Sequence, residues 1–121
     1  MKRIVIAITG ATGTIYGVRL MELLRAETSL EVHLVMSNAA KMTLKMEHDV
    51  ELDYIHGLAH EVHDYGNIGA SISSGSFHSS GMIIAPCSIK TMSNIAAGNT
   101  GDLISRAADV ILKERRTLIV A

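Results

Sequence analysis

The chain predicts a doubly wound α/β fold, a parallel sheet between two layers of helices. Three observations carry this. Lys2 to Thr9 is a nearly unbroken apolar, β-branched run, as in a strand buried on both faces of a parallel sheet. Strand-like and helix-like segments then alternate to the last residue. The first strand runs directly into Thr9-Gly10-Ala11-Thr12-Gly13-Thr14-Ile15-Tyr16-Gly17, a glycine turn that opens a helix.

Taken in order, the first crossover helix is predicted over Gly13 to Arg25. Glu31 to Met36 is the second strand. Ser37-Asn38 supply cap residues for a helix holding Ala39 to Lys45, whose far end leads to Glu47-His48-Asp49. Val50 to Val62 is amphipathic and is predicted helical. Gly66 to Gly81 is dense in glycine and serine. A core-like strand, Met82 to Ala85, follows at once, so the stretch reads as a binding loop and not as a linker. Pro86 ends that third strand, and Ser88 opens a helix over Ile89 to Ala97. After a turn at Gly98 to Gly101, Leu103 to Arg116 is a strong helix with Leu103, Ala107, Val110 and Leu112 on its apolar positions. Lys113, Arg115 and Arg116 complement the negative end of its dipole. Thr117 to Ala121 is the fourth strand. The expected architecture is one Rossmann-like or flavodoxin-like three-layer αβα domain over residues 1–121. Ligands of such sheets sit at the carboxyl ends of the strands, at the switch point. That rule brings Gly10–Gly13, Ser37-Asn38 and Pro86–Thr91 to one crevice.

Composition narrows the function. The chain has 121 residues, 48% of them apolar, and a formal net charge of −1, which leaves no basic footprint for nucleic acid. With no Trp, one Phe and three Tyr it has no platform for stacking single-stranded bases. No apolar run approaches the roughly 20 residues that span a bilayer. Met1-Lys2-Arg3 and the short run behind them read as strand one and not as a signal peptide. A single cysteine excludes an intramolecular disulfide and suits a reducing, cytoplasmic location.

The glycine turn carries the chemistry. Exposed N–H groups at a helix start, aided by the helix dipole, favour an anion, most often a phosphate. Glycine lets that ligand approach the backbone closely. The same opening occurs in short-chain NAD(P) dehydrogenase-like proteins. They need an acidic residue, or an arginine for a 2′-phosphate, where strand two ends. Here that strand ends at Met36-Ser37-Asn38, and a short hydroxyl suits a mononucleotide phosphate or flavin tail better. An NAD(P)-binding reductase is therefore an alternative and not the first reading.

Further pieces match one family in its own order along the whole chain. They are Thr9-Gly10-Ala11-Thr12-Gly13 with Tyr16-Gly17, Ser37 with Ala39-Ala40, and Glu47 with Asp49. Then come Ser73-Ser74-Gly75-Ser76, Pro86-Cys87-Ser88 with Lys90-Thr91, and Leu103-Ile104, Arg106 to Val110 and Leu112 to Arg115. The chain resembles the UbiX-type flavin prenyltransferases, which include proteins encoded beside phenolic acid decarboxylases. The resemblance implies binding of reduced FMN and of dimethylallyl phosphate. The prenyl unit is joined to flavin N5 and closed at C6. The product serves a separate UbiD-type decarboxylase, and no metal is needed.

It also implies roles. Gly10, Ala11, Thr12 and Ser37 would hold the FMN phosphate and ribityl chain, and Ser88, Ile89, Lys90 and Thr91 would place a helix N-terminus under the flavin. Ser74 and Gly75 would flank the ring and the prenyl phosphate. Arg106 and Lys113 would offer positive charge to the phosphates, from adjacent subunits. Glu47, acting through the Thr12 hydroxyl, would manage the N5 proton. Position 12 is Thr where many members carry Ser, which keeps the hydroxyl. The family assembles as homo-oligomers, a dodecamer among them. It continues past strand four into a region supplying another arginine and glutamate, a tyrosine and a basic residue. Without that region, FMN binding is expected to outlast prenyl transfer, so an impaired FMN-binding fragment is the second alternative.

Other residues have plainer readings. Cys87 at a helix start could be a nucleophile, but the cysteine decarboxylases of this fold place theirs elsewhere, so it reads as packing or flavin contact. His56, His60 and His63 with Glu61 look like a helical metal cluster, yet read as a solvated helix face. Met36, Met42, Met46, Met82 and Met92 read as core filler.

Overall fold

The structure is a computed structural model and describes residues 2–121. Five strands, β1 (Lys2–Ile8), β2 (Leu30–Met36), β3 (Glu61–His63), β4 (Gly81–Ile84) and β5 (Thr117–Val120), form one parallel sheet in the order β3-β2-β1-β4-β5. The helices are α1 (Thr14–Arg25), α2 (Asn38–His48), α3 (Leu52–Leu58), α4 (Ile89–Ala97) and α5 (Leu103–Lys113), with a 3-10 turn at Ser71–Ser73. Without the short edge strand β3, the remaining order reads 2-1-3-4, the start of the flavodoxin order; with it, the order is that of a Rossmann sheet. Both share one feature. The chain leaves β1 toward β2, then returns to β4 on the other side of β1, so the switch point lies between β1 and β4.

Side chains alternate across the sheet although both faces are covered. Ile6, Ile8, Val32, Leu34 and Met36 pack under Val18 and Met21 of α1, Ala40 and Leu44 of α2, and Ile55 of α3. Val5, Ala7, Val35, Met82 and Ile84 pack on the other face under Leu103, Ile104, Ala107, Ala108 and Ile111 of α5, with Ile72 of the 3-10 turn. Among the described residues no helix is long and apolar enough to cross a membrane.

Several expectations need correction. The segment Val50 to Val62 is not one helix: α3 ends at Leu58, and Glu61–His63 forms β3 beside β2. The switch to strand comes from pairing, since His60 N–H donates to Val32 O and the Val32 N–H donates back to His60 Nδ1. Helix α5 ends at Lys113 and not at Arg116, because Arg115 takes a left-handed φ of 56° and Arg116 N–H returns to Ile111 O. Ile111 is buried on its apolar face, whereas Leu112 is exposed and Val110 half-buried. Met36 and Met82 fill the core, but Met42, Met46 and Met92 are exposed.

Candidate functional site

At the carboxyl edge of the sheet the loops after β1, β2, β3 and β4 enclose a cleft of about 400 Å³, lined by Gly10, Ser37, Asn38, Ala39, Tyr65, Ser88, Lys90 and Thr91. A second depression of about 330 Å³ holds Ala11, Thr12, Tyr16, Ala85, Pro86, Cys87 and Ala121. The three loops expected to converge therefore do. Gly10 faces the first depression and Ala11 and Thr12 the second, so the glycine loop is their shared wall. An apolar groove of about 300 Å³ between α2 and α3, lined by Lys41, Met42, Leu44, Lys45, Val50, Glu51, Leu52 and Ile55, lies off the switch point.

Local chemistry shapes the cleft. Ser37 caps α2, its hydroxyl accepting from Ala40 N–H at 3.1 Å, and Ser88 caps α4, accepting from Thr91 N–H at 3.2 Å. Helix α1 differs: its N-cap is Gly13 at φ 94°, with no side-chain cap; the Tyr16 N–H donates to Gly13 O at 2.9 Å, which leaves the Thr14 and Ile15 N–H groups for an anion. A Cβ on Gly10 would lie 2.4 Å from the Ala39 Cβ, so only glycine lets the loop lie against the start of α2. On the first turn of α5, the Arg106 Nε is buried without a hydrogen-bond partner. Leu103 N–H there donates to the Tyr65 carbonyl, and burial together with the Asp102 carboxylate pushes the Tyr65 hydroxyl up. Tyr65 was not a sequence candidate, because it follows the unrecognised strand β3.

Burial likewise pushes the Cys87 thiol up, away from the lowered range of a catalytic thiolate. The cleft at Gly10, with Lys90 in its wall and the uncapped start of α1 on the same loop, fits a phosphate-bearing ligand.

Other sequence candidates stand elsewhere. Ser74 and Gly75 precede β4, at the amino edge of the sheet, roughly 20 Å from the cleft, the length of a seven-residue strand. They sit beside the end of α5: a Cβ on Gly75 would meet Glu114 Oε1 at 2.7 Å, and Arg116 donates to Gly75 O and to Phe77 O. Lys113 is there too, with Nζ 3.8 Å from Asp109. Glu47 lies at the far end of α2, about 15 Å along the axis from Ser37, with an exposed carboxylate beside His48. Within one chain, then, Glu47 does not reach Thr12.

The expected helical histidine cluster is dispersed. His56 is on α3, and His60 bonds Val32 N–H and Arg25. His63 instead meets His33 of β2, Nε2 to Nδ1 at 2.9 Å, and the other His33 nitrogen lies 2.9 Å from Glu31 Oε1. Glu61 Oε2 is 3.6 Å from His33 Nδ1. The ring centroids are 5.2 Å apart with planes 17° from parallel. That separation is the N···N contact plus two ring radii, so the nitrogens face each other along one line. On that line one ring nitrogen donates to the other, which ties β3 to β2 through side chains as well as backbone.

The model of the Flavoprotein family matches residues 1–121. The chain belongs to the Flavoprotein family. It is 55% identical over 120 residues to the flavin prenyltransferase UbiX of Escherichia coli K12, covering 99% of this chain and 64% of that protein. It is similar to the crystal structure of AnUbiX (PadA1) in complex with FMN and dimethylallyl pyrophosphate, with a TM-score of 0.95, 48% identity, and coverage of 98% of this chain and 63% of that one. It is similar also to a dodecameric FMN-dependent UbiX-like decarboxylase from Escherichia coli O157:H7, with a TM-score of 0.96, 44% identity, and coverage of 98% and 65%. This flavoprotein chain thus spans just under two thirds of the relatives it matches.

Proposed function

We propose that the chain is the nucleotide-binding part of a flavin prenyltransferase, which joins a dimethylallyl group from a dimethylallyl phosphate ester to N5 and C6 of reduced FMN. The observation that carries this is the cleft at the carboxyl edge of the sheet, where the glycine loop at Gly10 meets the helix starts at Ser37 and Ser88, with Lys90 in its wall. Relatives of matching sequence and geometry are flavin prenyltransferases, and one such structure holds FMN with dimethylallyl pyrophosphate. The absence of an acidic residue at the end of β2, where Ser37 stands, disfavours the NAD(P) reading.

In this reading Gly10, Ala11, Thr12 and Ser37 hold the phosphate and ribityl chain, Ser88 to Thr91 lie under the ring, and Arg106 supplies its free N–H. The flavin, once bound and reduced, supplies the nucleophilic nitrogen and carbon. Ser74, Gly75 and Lys113, at the opposite edge, and Glu47, at the end of α2, reach that cleft from other copies of the chain in a homo-oligomer. There the Lys113 ammonium faces the leaving phosphate, and Glu47 draws the proton from N5 through the Thr12 hydroxyl. Exposed Ile89 and Tyr16 at the rim of the site suit such packing. A homo-oligomer agrees with the dodecameric state of the UbiX-like relative. We place the protein in the cytoplasm, with its product passing to a UbiD-type decarboxylase.

The test is anaerobic incubation with reduced FMN and dimethylallyl phosphate or pyrophosphate, followed by mass spectrometry of the flavin. A flavin heavier by one prenyl unit is the expected result. FMN bound but never prenylated would leave the impaired-fragment reading standing. Stabilisation by NADPH and not by FMN would overturn the flavin reading.

A further inference from the structure

We infer that Thr9 is a positioning residue that locks the β1 and β4 loops into one wall of the cleft; this rests on the flavin reading above. Thr9 is 1% exposed and lines neither depression, so it touches no ligand. Its hydroxyl is fully used: it donates to Pro86 O at 2.6 Å and accepts from Ser88 N–H at 2.7 Å. The Thr9 N–H donates to Pro86 O as well, at 3.2 Å.

The reason lies in the sequence of β4. Backbone pairing between β1 and β4 runs through Ala85 N–H to Ala7 O at 3.0 Å and ends with Thr9 N–H to Pro86 O at 3.2 Å. Beyond it the Cys87 N–H turns away to Ala121 O at 2.6 Å, so β4 offers β1 no further main-chain donor there. The Thr9 side chain takes over, and in doing so fixes the N-cap residue of α4. With its own N–H held, Ser88 directs its hydroxyl to Thr91, 3.0 Å from Oγ1, and the α4 terminus meets the cleft in register with Gly10. A valine would keep the shape of Thr9 and lose both hydroxyl bonds, leaving the half-buried Ser88 N–H without its partner. A serine would keep them.

Thr9→Val and Thr9→Ser are titrated with FMN and with riboflavin, which lacks the phosphate, by quenching of flavin fluorescence. Thr9→Ser is expected within about twofold of the wild type, and Thr9→Val to weaken FMN about tenfold or more, as loss of two bonds implies, with a much smaller loss for riboflavin. Undiminished FMN affinity in Thr9→Val, or equal loss for both flavins as general destabilisation would give, overturns the inference. Amide exchange at Ser88, in the wild type and Thr9→Ser, decides the matter if Thr9→Val does not fold: slow exchange supports the lock and rapid exchange refutes it. A wild type that binds no FMN would sink the flavin reading instead, and Ser88 exchange would still judge Thr9.

Discussion

Gly10 and Gly17 are constrained by different neighbours. A Cβ on Gly17 would lie 2.4 Å from the Ala85 carbonyl oxygen and 2.9 Å from Ile8 side-chain carbons, so α1 crosses β1 and β4 with no room for a methyl group. The obstacle is backbone, which cannot rotate away. Gly17→Ala should therefore destabilise the fold by about 1–3 kcal/mol, read from the urea midpoint at unchanged slope. Gly10→Ala meets the Ala39 Cβ at 2.4 Å and the Ala39 backbone carbonyl carbon at 3.0 Å, at the start of α2 beside the cleft. Its expected signature adds the ligand: a loss of stability together with a large loss of FMN affinity, measured by fluorescence titration. Equal effects of the two substitutions on binding would remove the distinction. This much was legible in the glycine spacing, because a strand that runs straight into glycines and a helix leaves few other conformations. Thr9 itself was legible only as part of a motif. Its role depends on Pro86, 77 residues away.

Among the elements, β3 is the one the sequence concealed. Glu61-Val62-His63 offers one apolar residue, too short a pattern to compete with the amphipathic spacing before it. Its partners are polar: His63 to His33, and His33 to Glu31, under the edge of the Phe77 ring. Burial lowers the His63 pKa from the ordinary 6.5, so the folded chain prefers it neutral. The unfolded chain then binds the additional proton first, and stability falls as pH drops below about 6.5 toward the folded value. Glu31 works in a lower window. The hydrogen bond from His33 depresses its pKa below 4.5, so its contribution is lost as pH falls through that depressed value. Thermal melts from pH 8 down to about pH 5 should show Tm declining mainly below pH 6.5, and His63→Phe should flatten that slope. A slope unchanged in His63→Phe would locate the titration elsewhere. The amino-edge position of Ser74 and Gly75, by contrast, was recoverable from sequence. A segment that precedes a strand of an all-parallel sheet must lie at the opposite edge from the segments that follow strands.

For the whole molecule, that geometry has a physical consequence. The groups expected at one reaction centre divide between two edges roughly 20 Å apart, and a packed sheet does not fold to join them. A second copy can join them, and exposed apolar side chains are there for it to cover: Ile89 is 86% exposed, Met46 80% and Tyr16 73%. Native Cys87 lies in the depression beside Thr12, and it is the only cysteine. A Ser74→Cys variant treated with a bismaleimide too short to span the sheet can therefore be linked only between chains. Covalent multimers on a denaturing gel, lost when Cys87 is also replaced by Ser, are the expected outcome, alongside a sedimenting species many times the 13.0 kDa chain. A monomer in sedimentation that yields no cross-link would show that Ser74, Gly75 and Lys113 never meet the cleft. The flavin would then be held by Gly10, Ser37, Ser88 and Lys90 without Lys113 at the leaving phosphate, and prenyl transfer would fall while flavin binding persisted.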